Sequence, residues 1–191
     1  MPPATRALVL PGQLYPFYTW GGTQDPILPS LTGRPVTVRS TVPYADLRAA
    51  DLLYTTDDLV QQRRLVPGQL RPLLELMSVG SVVTGSDDDR ARSGAAEPLG
   101  VVDEFARQRG LRAPDEVYGP LRRFGGVQGD LGRGASLPQV RRYDLPAPRR
   151  MVRVEPEAGQ TTVDGSADTL AGLAAFGALP RTGAIAYAAD R

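Results

Sequence analysis

The chain has 191 residues, 41% hydrophobic and 23% charged, which is enough for one sizeable core and typical of a folded globular protein rather than a disordered one. Its 22 basic and 21 acidic residues leave a net charge of +1, which does not favour nucleic acid or anionic lipid as a partner. The absence of cysteine and histidine excludes disulfides, thiolate nucleophiles, Ser-His-Asp catalysis and histidine-based metal sites. We therefore expect no metal and no cofactor, and any chemistry would depend on Asp, Glu, Tyr, Arg or Ser.

No stretch approaches the roughly 20 consecutive apolar residues that a membrane-spanning helix needs. The apolar run at residues 7–10 is also too short for the core of a secretion signal. We therefore expect a chain that is soluble as given, without a targeting signal or direct membrane insertion.

The first half of the chain predicts alternating strands and helices. Residues 7–10 and 36–39 are short apolar runs next to proline and glycine, which is typical of strands, the second of them at an edge. Four apolar residues then recur at the spacing of one helix face: Leu70, Leu73, Leu74 and Met77. This helix runs into a predicted strand at 79–84, which is the helix-to-strand return of an α/β fold.

A second helix is predicted over residues 97–109, with Pro98 in its first turn and Gly110 beyond its end. Its predicted core-facing residues are Leu99, Val102, Phe105 and Ala106.

The glycine-rich stretch 125–138 has no apolar period and is predicted to be a flexible surface loop between strands near Val117 and Val140. Alternating apolar and charged residues predict two further half-buried strands, at 139–145 and 150–156.

The C-terminal section predicts a β-α-β unit. A strand at 161–163, a helix at 166–179 that ends before Pro180, and a strand at 184–188 follow one another, and such crossovers join parallel strands. Together these elements predict an α/β fold: a mixed, partly parallel sheet with flanking helices and long irregular loops. We expect residues 1–191 to form a single α/β domain.

Two polar stretches have both a functional and a structural interpretation. Residues 164–168 lie at the N-terminus of the last predicted helix and could bind an anion there. A helix cap by Asp164 or Ser166 explains the same residues better. Residues 87–89 are three consecutive aspartates, which could bind a divalent cation. Adjacent side chains point in different directions, so a solvated loop with local pairing, such as Asp87 with Arg92, is favoured.

The segment 15–26 concentrates aromatic residues beside glycines and prolines that prevent a long regular element. Aromatic rings in an irregular loop suit sugar stacking, because they combine flat apolar faces with polar edges. The candidate carbohydrate contacts are Tyr15, Tyr18, Trp20 and Asp25. The alternative, slightly favoured by the sequence alone, is that these rings fix the loop onto the sheet.

Long strings of the sequence resemble one known family. Residues 6–94, including "LVLPGQLYPFYTWGGTQDP" and "SVVTGSDDD", and later "VRRYDL" and "VDGSADTLAGLAAFGALP", are similar in the same order to a region of the actinobacterial α-(1→3)-arabinofuranosyltransferases. The resemblance is weakest over residues 98–138.

The resemblance implies a transferase that moves arabinofuranose from a decaprenyl-phosphate donor onto arabinan of the cell wall, in arabinogalactan or lipoarabinomannan. It also implies that the membrane-spanning catalytic part lies outside the matched region, so no catalytic residue is assigned here. The chain is then expected to be a fragment of a larger membrane protein, an extracytoplasmic domain that supports the membrane portion and contacts the arabinan acceptor.

Two alternatives remain open at this point. The chain could be a stand-alone carbohydrate-binding or scaffolding module without catalysis. A phosphate-binding enzyme built on the β-α-β unit at 161–188 is the less favoured possibility, and it would depend on Ser166.

Overall fold

The computed structural model describes residues 4–23, 25–39, 45–125, 134–156, 158–179 and 183–190. In these ranges the strands are β1 Arg6–Val9, β2 Phe17–Tyr18, β3 Gly21–Gly22, β4 Val36–Thr37, β5 Val79–Gly85, β6 Glu116–Phe124, β7 Ala135–Asp144, β8 Thr161–Val163 and β9 Ile185–Tyr187. The helices are α1 Leu28–Leu31, α2 Leu47–Gln61, α3 Leu70–Leu76, α4 Arg90–Ser93, α5 Pro98–Ala106 and α6 Ala167–Ala175, followed by a 3-10 turn at Ala188–Asp190.

The main sheet has the strand order β4-β1-β5-β7-β6. Strands β4, β1 and β5 run parallel, whereas β5, β7 and β6 are joined antiparallel. This arrangement confirms the predicted α/β class with a mixed, partly parallel sheet, and it confirms that the strand near residue 36 lies at an edge. Because β1 lies between two parallel neighbours, its Leu8 is fully buried in the core.

Helix α2 covers one face of the sheet and is the longest helix in the described residues. Its N-cap is Asp46, whose carboxylate accepts from the N–H groups of Arg48 and Ala49. Its inward row contains Ala50, Leu53, Asp57 and Val60. This helix is not predicted from the sequence, because a carboxylate in its inward row interrupts the apolar period.

The β-α-β unit predicted near the C-terminus is confirmed. Strands β8 and β9 pair in parallel as a separate two-stranded sheet, and α6 connects them. Apolar residues of this unit, including Val163 and Leu170, pack on Leu52 of α2 and Leu73 of α3. The helices α2 and α3 therefore lie between the main sheet and the C-terminal unit.

The predicted core face of α5 is partly wrong. Leu99 and Phe105 are buried, but Val102 is only half-buried and Ala106 is exposed, while Val101 is buried in their place. The buried row contains two polar residues, Glu104 within the helix and Gln108 just beyond it, and both are fully buried. Gln108 accepts from the N–H groups at residues 68 and 70 and donates to the carbonyl of residue 66. Polar residues on the inward row shifted the apparent apolar face.

Two further predictions are corrected in the same region. Residues 135–138 belong to β7 and pair with β6, where Leu121 opposes Pro138, so the predicted loop is shorter than 125–138. Residues 126–133 lie outside the described part of the chain. The segment 150–156 is not a strand: Val152 and Val154 are 88% and 98% exposed, and the segment does not pair with any strand in the described residues.

Candidate functional site: a crevice at the carboxyl ends of β1 and β5

A small crevice opens where the central parallel strands end. The chain leaves β1 towards β4 on one side, and it leaves β5 towards β7 and β6 on the other side. Ligands of open α/β sheets bind at such a switch point, outside the carboxyl ends of the strands. Here the crevice has a volume of about 150 Å³, and Val9, Val83 and Val140 form part of its apolar wall.

Two stretches that are far apart in sequence meet at the crevice. The Thr19 N–H donates to the Asp87 carbonyl at 2.8 Å, and the Asp89 N–H donates to the Phe17 carbonyl at 2.8 Å. These hydrogen bonds flank a β-bridge between Tyr18 and Asp88. The aromatic segment and the acidic segment are therefore two sides of one site, which their sequences did not indicate.

Tyr18 and Trp20 stack on each other at the crevice. Their ring centroids are 4.7 Å apart and their planes differ by 5°. The Trp20 indole N–H donates to Asp87 Oδ2 at 2.8 Å, yet Trp20 remains 52% exposed. The hydrogen bond fixes the orientation of the indole, and about half of its surface remains accessible to a ligand. The two rings therefore fix the loop to the acidic segment and also form an exposed aromatic surface.

Asp88 is the polar group that the crevice perturbs most. Burial and the neighbouring Asp87 carboxylate raise the pKa of Asp88 to about 6, and a hydrogen bond from the Gln13 amide opposes that rise. Gln13 is itself oriented, because its Oε1 accepts from the Phe17 N–H at 2.8 Å and its amide nitrogen donates to Asp88. A carboxylate in an apolar crevice can accept hydrogen bonds from a ligand, and shifted carboxylates are typical of functional sites.

The three consecutive aspartates do not converge on one point. Asp87 accepts from Trp20 and from the Gln139 amide, Asp88 lines the crevice, and Asp89 caps α4 by accepting from the Arg92 N–H. In the described residues no group of three or more acidic side chains is arranged to hold a metal ion. The suggested pairing of Asp87 with Arg92 is wrong: the Arg92 guanidinium lies 4.7 Å from the centroid of the Phe17 ring instead.

A buried ion pair holds the wall of the crevice behind β1. Asp57, with a side chain 1% exposed, pairs with Arg39 and accepts from the Gly12 N–H at 2.6 Å and the Gln61 amide at 2.8 Å. Burial raises the pKa of Asp57, and its three donors act in the opposite direction. The carboxylate connects α2 to Gly12, which lines the crevice, and no sequence pattern indicates this role.

The other residues proposed from sequence lie away from the crevice. Tyr15 is 67% exposed and Asp25 is exposed, and neither forms part of the crevice wall. At the start of α6, Ser166 accepts from the Asp168 N–H, and the Asp51 carboxylate of α2 accepts from the Ala167 N–H at 2.9 Å. The helix-cap interpretation of residues 164–168 is confirmed, with Ser166 rather than Asp164 as the cap.

Together, these observations define an open, mixed α/β sheet with a crevice at its switch point, the position at which sheets of this type bind ligands. The family model described as "Alpha-(1->3)-arabinofuranosyltransferase, N-terminal GT-C domain" matches residues 2–191, and the chain belongs to this family. This confirms the resemblance found in the sequence. The position of the matched segment relative to the membrane part of the relatives stays a prediction.

Solved structures of related proteins agree with this assignment. The cryo-EM structure of arabinofuranosyltransferase AftD from Mycobacteria has a TM-score of 0.70 and 26% identity over 85% of this chain and 13% of that chain. The class 1 structure of a mutant of the same protein has a TM-score of 0.73 and 26% identity over 89% of this chain and 14% of that chain. This chain therefore spans only about one seventh of the length of those proteins. A comparison with curated proteins gives no match.

No helix in the described ranges is long and apolar enough to cross a membrane.

Proposed function

We propose that this chain is an accessory domain of an arabinofuranosyltransferase of cell-wall arabinan synthesis, on the extracytoplasmic face of the plasma membrane. The observation that carries the proposal is the family match over residues 2–191, together with solved relatives of which this chain covers 13–14%. In this proposal the domain supports the membrane-spanning part. Catalysis belongs to the portion of the relatives that this chain does not match.

We further propose that the crevice holds a sugar unit of the arabinan acceptor. Its volume of about 150 Å³ is below the roughly 300–1,000 Å³ of sites for drug-sized ligands, so it suits a single small ring. The exposed part of Trp20 offers an apolar face to that ring, and Asp88 and Gln13 offer polar atoms to its hydroxyl groups. The contact is thus assigned to Tyr18 and Trp20 rather than to Tyr15 and Asp25.

Titration with arabinofuranose oligosaccharides tests the crevice, because Trp20 is the only tryptophan and its fluorescence reports the site directly. Isothermal titration calorimetry follows the same binding without depending on Trp20. We expect Asp88→Ala to weaken binding about tenfold or more, the usual effect of losing a hydrogen bond to a charged group. Trp20→Ala should weaken it similarly through loss of stacking.

Tyr15→Ala is the matched control, since it removes an aromatic ring from the same loop outside the crevice. Circular dichroism spectra must remain unchanged in every variant. An absence of heat and of fluorescence change at millimolar oligosaccharide, or an equal loss in the Tyr15 variant, contradicts the acceptor site.

An antibody against this domain, applied to fractionated source cells, tests the larger assignment independently. The expected result is a membrane-associated band far larger than the 20.5 kDa of this chain. A soluble band at 20.5 kDa combined with oligosaccharide binding would instead favour a stand-alone carbohydrate-binding module. Purified chain is expected to give no arabinosyl transfer from a lipid-linked donor, and measurable transfer would place catalysis in this domain.

A further inference from the structure

A second, larger groove lies on a different part of the molecule from the crevice. It has a volume of about 750 Å³ and runs between α3, the segment after α5 and the C-terminal end of α6. Its charged lining residues are Arg71, Glu75, Arg107, Arg109, Arg112 and Arg149. Five arginines line the groove, and the nearby carboxylates of Glu75 and Glu104 offset two of them, so the groove is positive in a chain whose net charge is only +1.

Protein contacts already engage some of these arginines. Arg71 donates to Glu75 at 2.8 Å and to the Pro146 carbonyl at 3.1 Å. Arg107 pairs with the buried Glu104. These contacts hold two of the guanidinium groups in place along the groove.

Arg109 and Arg112 differ from their neighbours. Both are exposed, and neither has a hydrogen bond, ion pair or ring contact with any residue in the described part of the chain. Two arginines so close in sequence repel each other unless an anion lies between them or solvent screens them.

Phe176 lies at the same groove and is 90% exposed. It directly follows α6, and Ala174, two residues earlier, is buried in the core, so the ring points away from the packed face of the helix. An exposed aromatic ring next to a cluster of arginines combines an apolar contact with anion recognition.

We propose that this groove binds a phosphate-bearing ligand, with Arg109 and Arg112 contacting the phosphate and Phe176 contacting the apolar or ring part next to it. Guanidinium groups match phosphate oxygens through paired N–H donors, and all 22 basic residues of this chain are arginines. The phosphate can belong to an anionic lipid headgroup or to a soluble phosphate ester. A purely structural role would instead use the arginines to complement the carbonyl ends of α3 and α6.

The test measures two ligands on the full 191-residue chain at low salt. Calorimetry with inorganic pyrophosphate represents a soluble phosphate. Sedimentation with vesicles of phosphatidylglycerol, against vesicles of phosphatidylcholine alone, represents a lipid surface. The groove variant is Arg109→Ser with Arg112→Ser, and the control is Arg34→Ser with Arg123→Ser, which removes the same charge from exposed positions outside the groove.

We expect the groove variant to bind at least about tenfold more weakly, as the loss of charge-assisted hydrogen bonds implies, and the control to stay within about twofold. Urea denaturation should give the same midpoint for wild type and groove variant. If the protein binds phosphatidylglycerol vesicles and Phe176→Ala weakens that binding, the phosphate belongs to a lipid. If the protein binds only pyrophosphate, the phosphate belongs to a soluble ester. No binding in either arm, equal losses in the two double variants, or destabilisation without loss of binding overturns the proposal.

Discussion

Replacing Asp57 with asparagine would remove a buried negative charge that three donors contact. Its side chain is 1% exposed, and it pairs with Arg39 while accepting from Gly12 and Gln61. Asp58 contacts the same Arg39 guanidinium at 2.8 Å, but its side chain is 46% exposed. The two carboxylates share one partner and differ in burial, so they form a matched pair for mutation.

Asp57→Asn is expected to lower the free energy of unfolding by about 2 kcal/mol, within the range of about 1–3 kcal/mol for leaving a buried donor unsatisfied, since Arg39 keeps its contact with Asp58. Because burial already opposes the charge of Asp57, the loss comes from the donors that it leaves behind rather than from a strongly favourable ion pair. The asparagine oxygen can still accept from Gly12, but its amide turns N–H groups towards Arg39 or Gln61. Asp58→Asn should cost less than about 1 kcal/mol, as for exposed ion pairs.

Urea denaturation followed by Trp20 fluorescence and by circular dichroism measures both variants. In thermal denaturation the melting temperature of the Asp57 variant should fall by about 4–8 °C, from roughly 2–4 °C per kcal/mol in a domain of this size. The slope of the urea transition must stay constant for the comparison to hold. Equal losses in the two variants, or a loss below about 1 kcal/mol in Asp57→Asn, would refute the assignment of Asp57 as the buried anchor of this wall.

Three further changes test the crevice and the core. The pKa of Asp88 is about 6 in the folded state, and its ordinary value is 3.8. Between these values the folded state keeps a proton that the unfolded state loses, so the contribution of Asp88 to stability falls as the pH rises from about 4 to 6. Asp88→Asn should therefore have the same free energy of unfolding as wild type at pH 4 and one up to about 3 kcal/mol higher at pH 7, measured by urea denaturation. A difference between variant and wild type that does not change with pH would contradict this. Gly12→Ala places a Cβ 2.7 Å from Arg39 Cβ and should cost about 1–3 kcal/mol, seen as a lower melting temperature; an unchanged melting temperature would exclude the close approach. Phe105 is fully buried, and its ring centroid lies 5.2 Å from that of Tyr143. Phe105→Ala should lower the free energy of unfolding by about 3–5 kcal/mol, and Phe105→Leu should lower it clearly less if packing is the cause.

Secondary structure was predictable where apolar periodicity was uninterrupted. The strands at β1 and β5 and the unit from β8 to β9 follow directly from their letters. Prediction failed where a polar residue occupies an inward position, as Asp57 does in α2 and Gln108 does beyond α5. Both side chains are buried because they satisfy backbone N–H groups of distant loops, and periodicity contains no information about such partners.

The candidate site shows the same limit. The aromatic cluster predicts Tyr18, Trp20, Tyr15 and Asp25 as contacts for a ligand. In the fold, Tyr18 and Trp20 line the crevice, whereas Tyr15 and Asp25 lie outside it. Whether a side chain of an irregular loop faces a crevice or solvent depends on what the loop packs against. Here that partner is the acidic stretch some 70 residues later in the chain.

The sequence by itself determined the fold class, the family and the absence of histidine and cysteine chemistry, because these depend on composition, local periodicity and long matching strings. Only the tertiary structure decided that Asp88 lies in a crevice with a raised pKa, since burial and the proximity of Asp87 and Gln13 exist only after β2 pairs with residues 87–89. The same holds for charge. A net charge of +1 describes the whole chain, whereas packing of α3, α5 and α6 gathers five arginines along one groove, and the local field depends on that arrangement rather than on the sum.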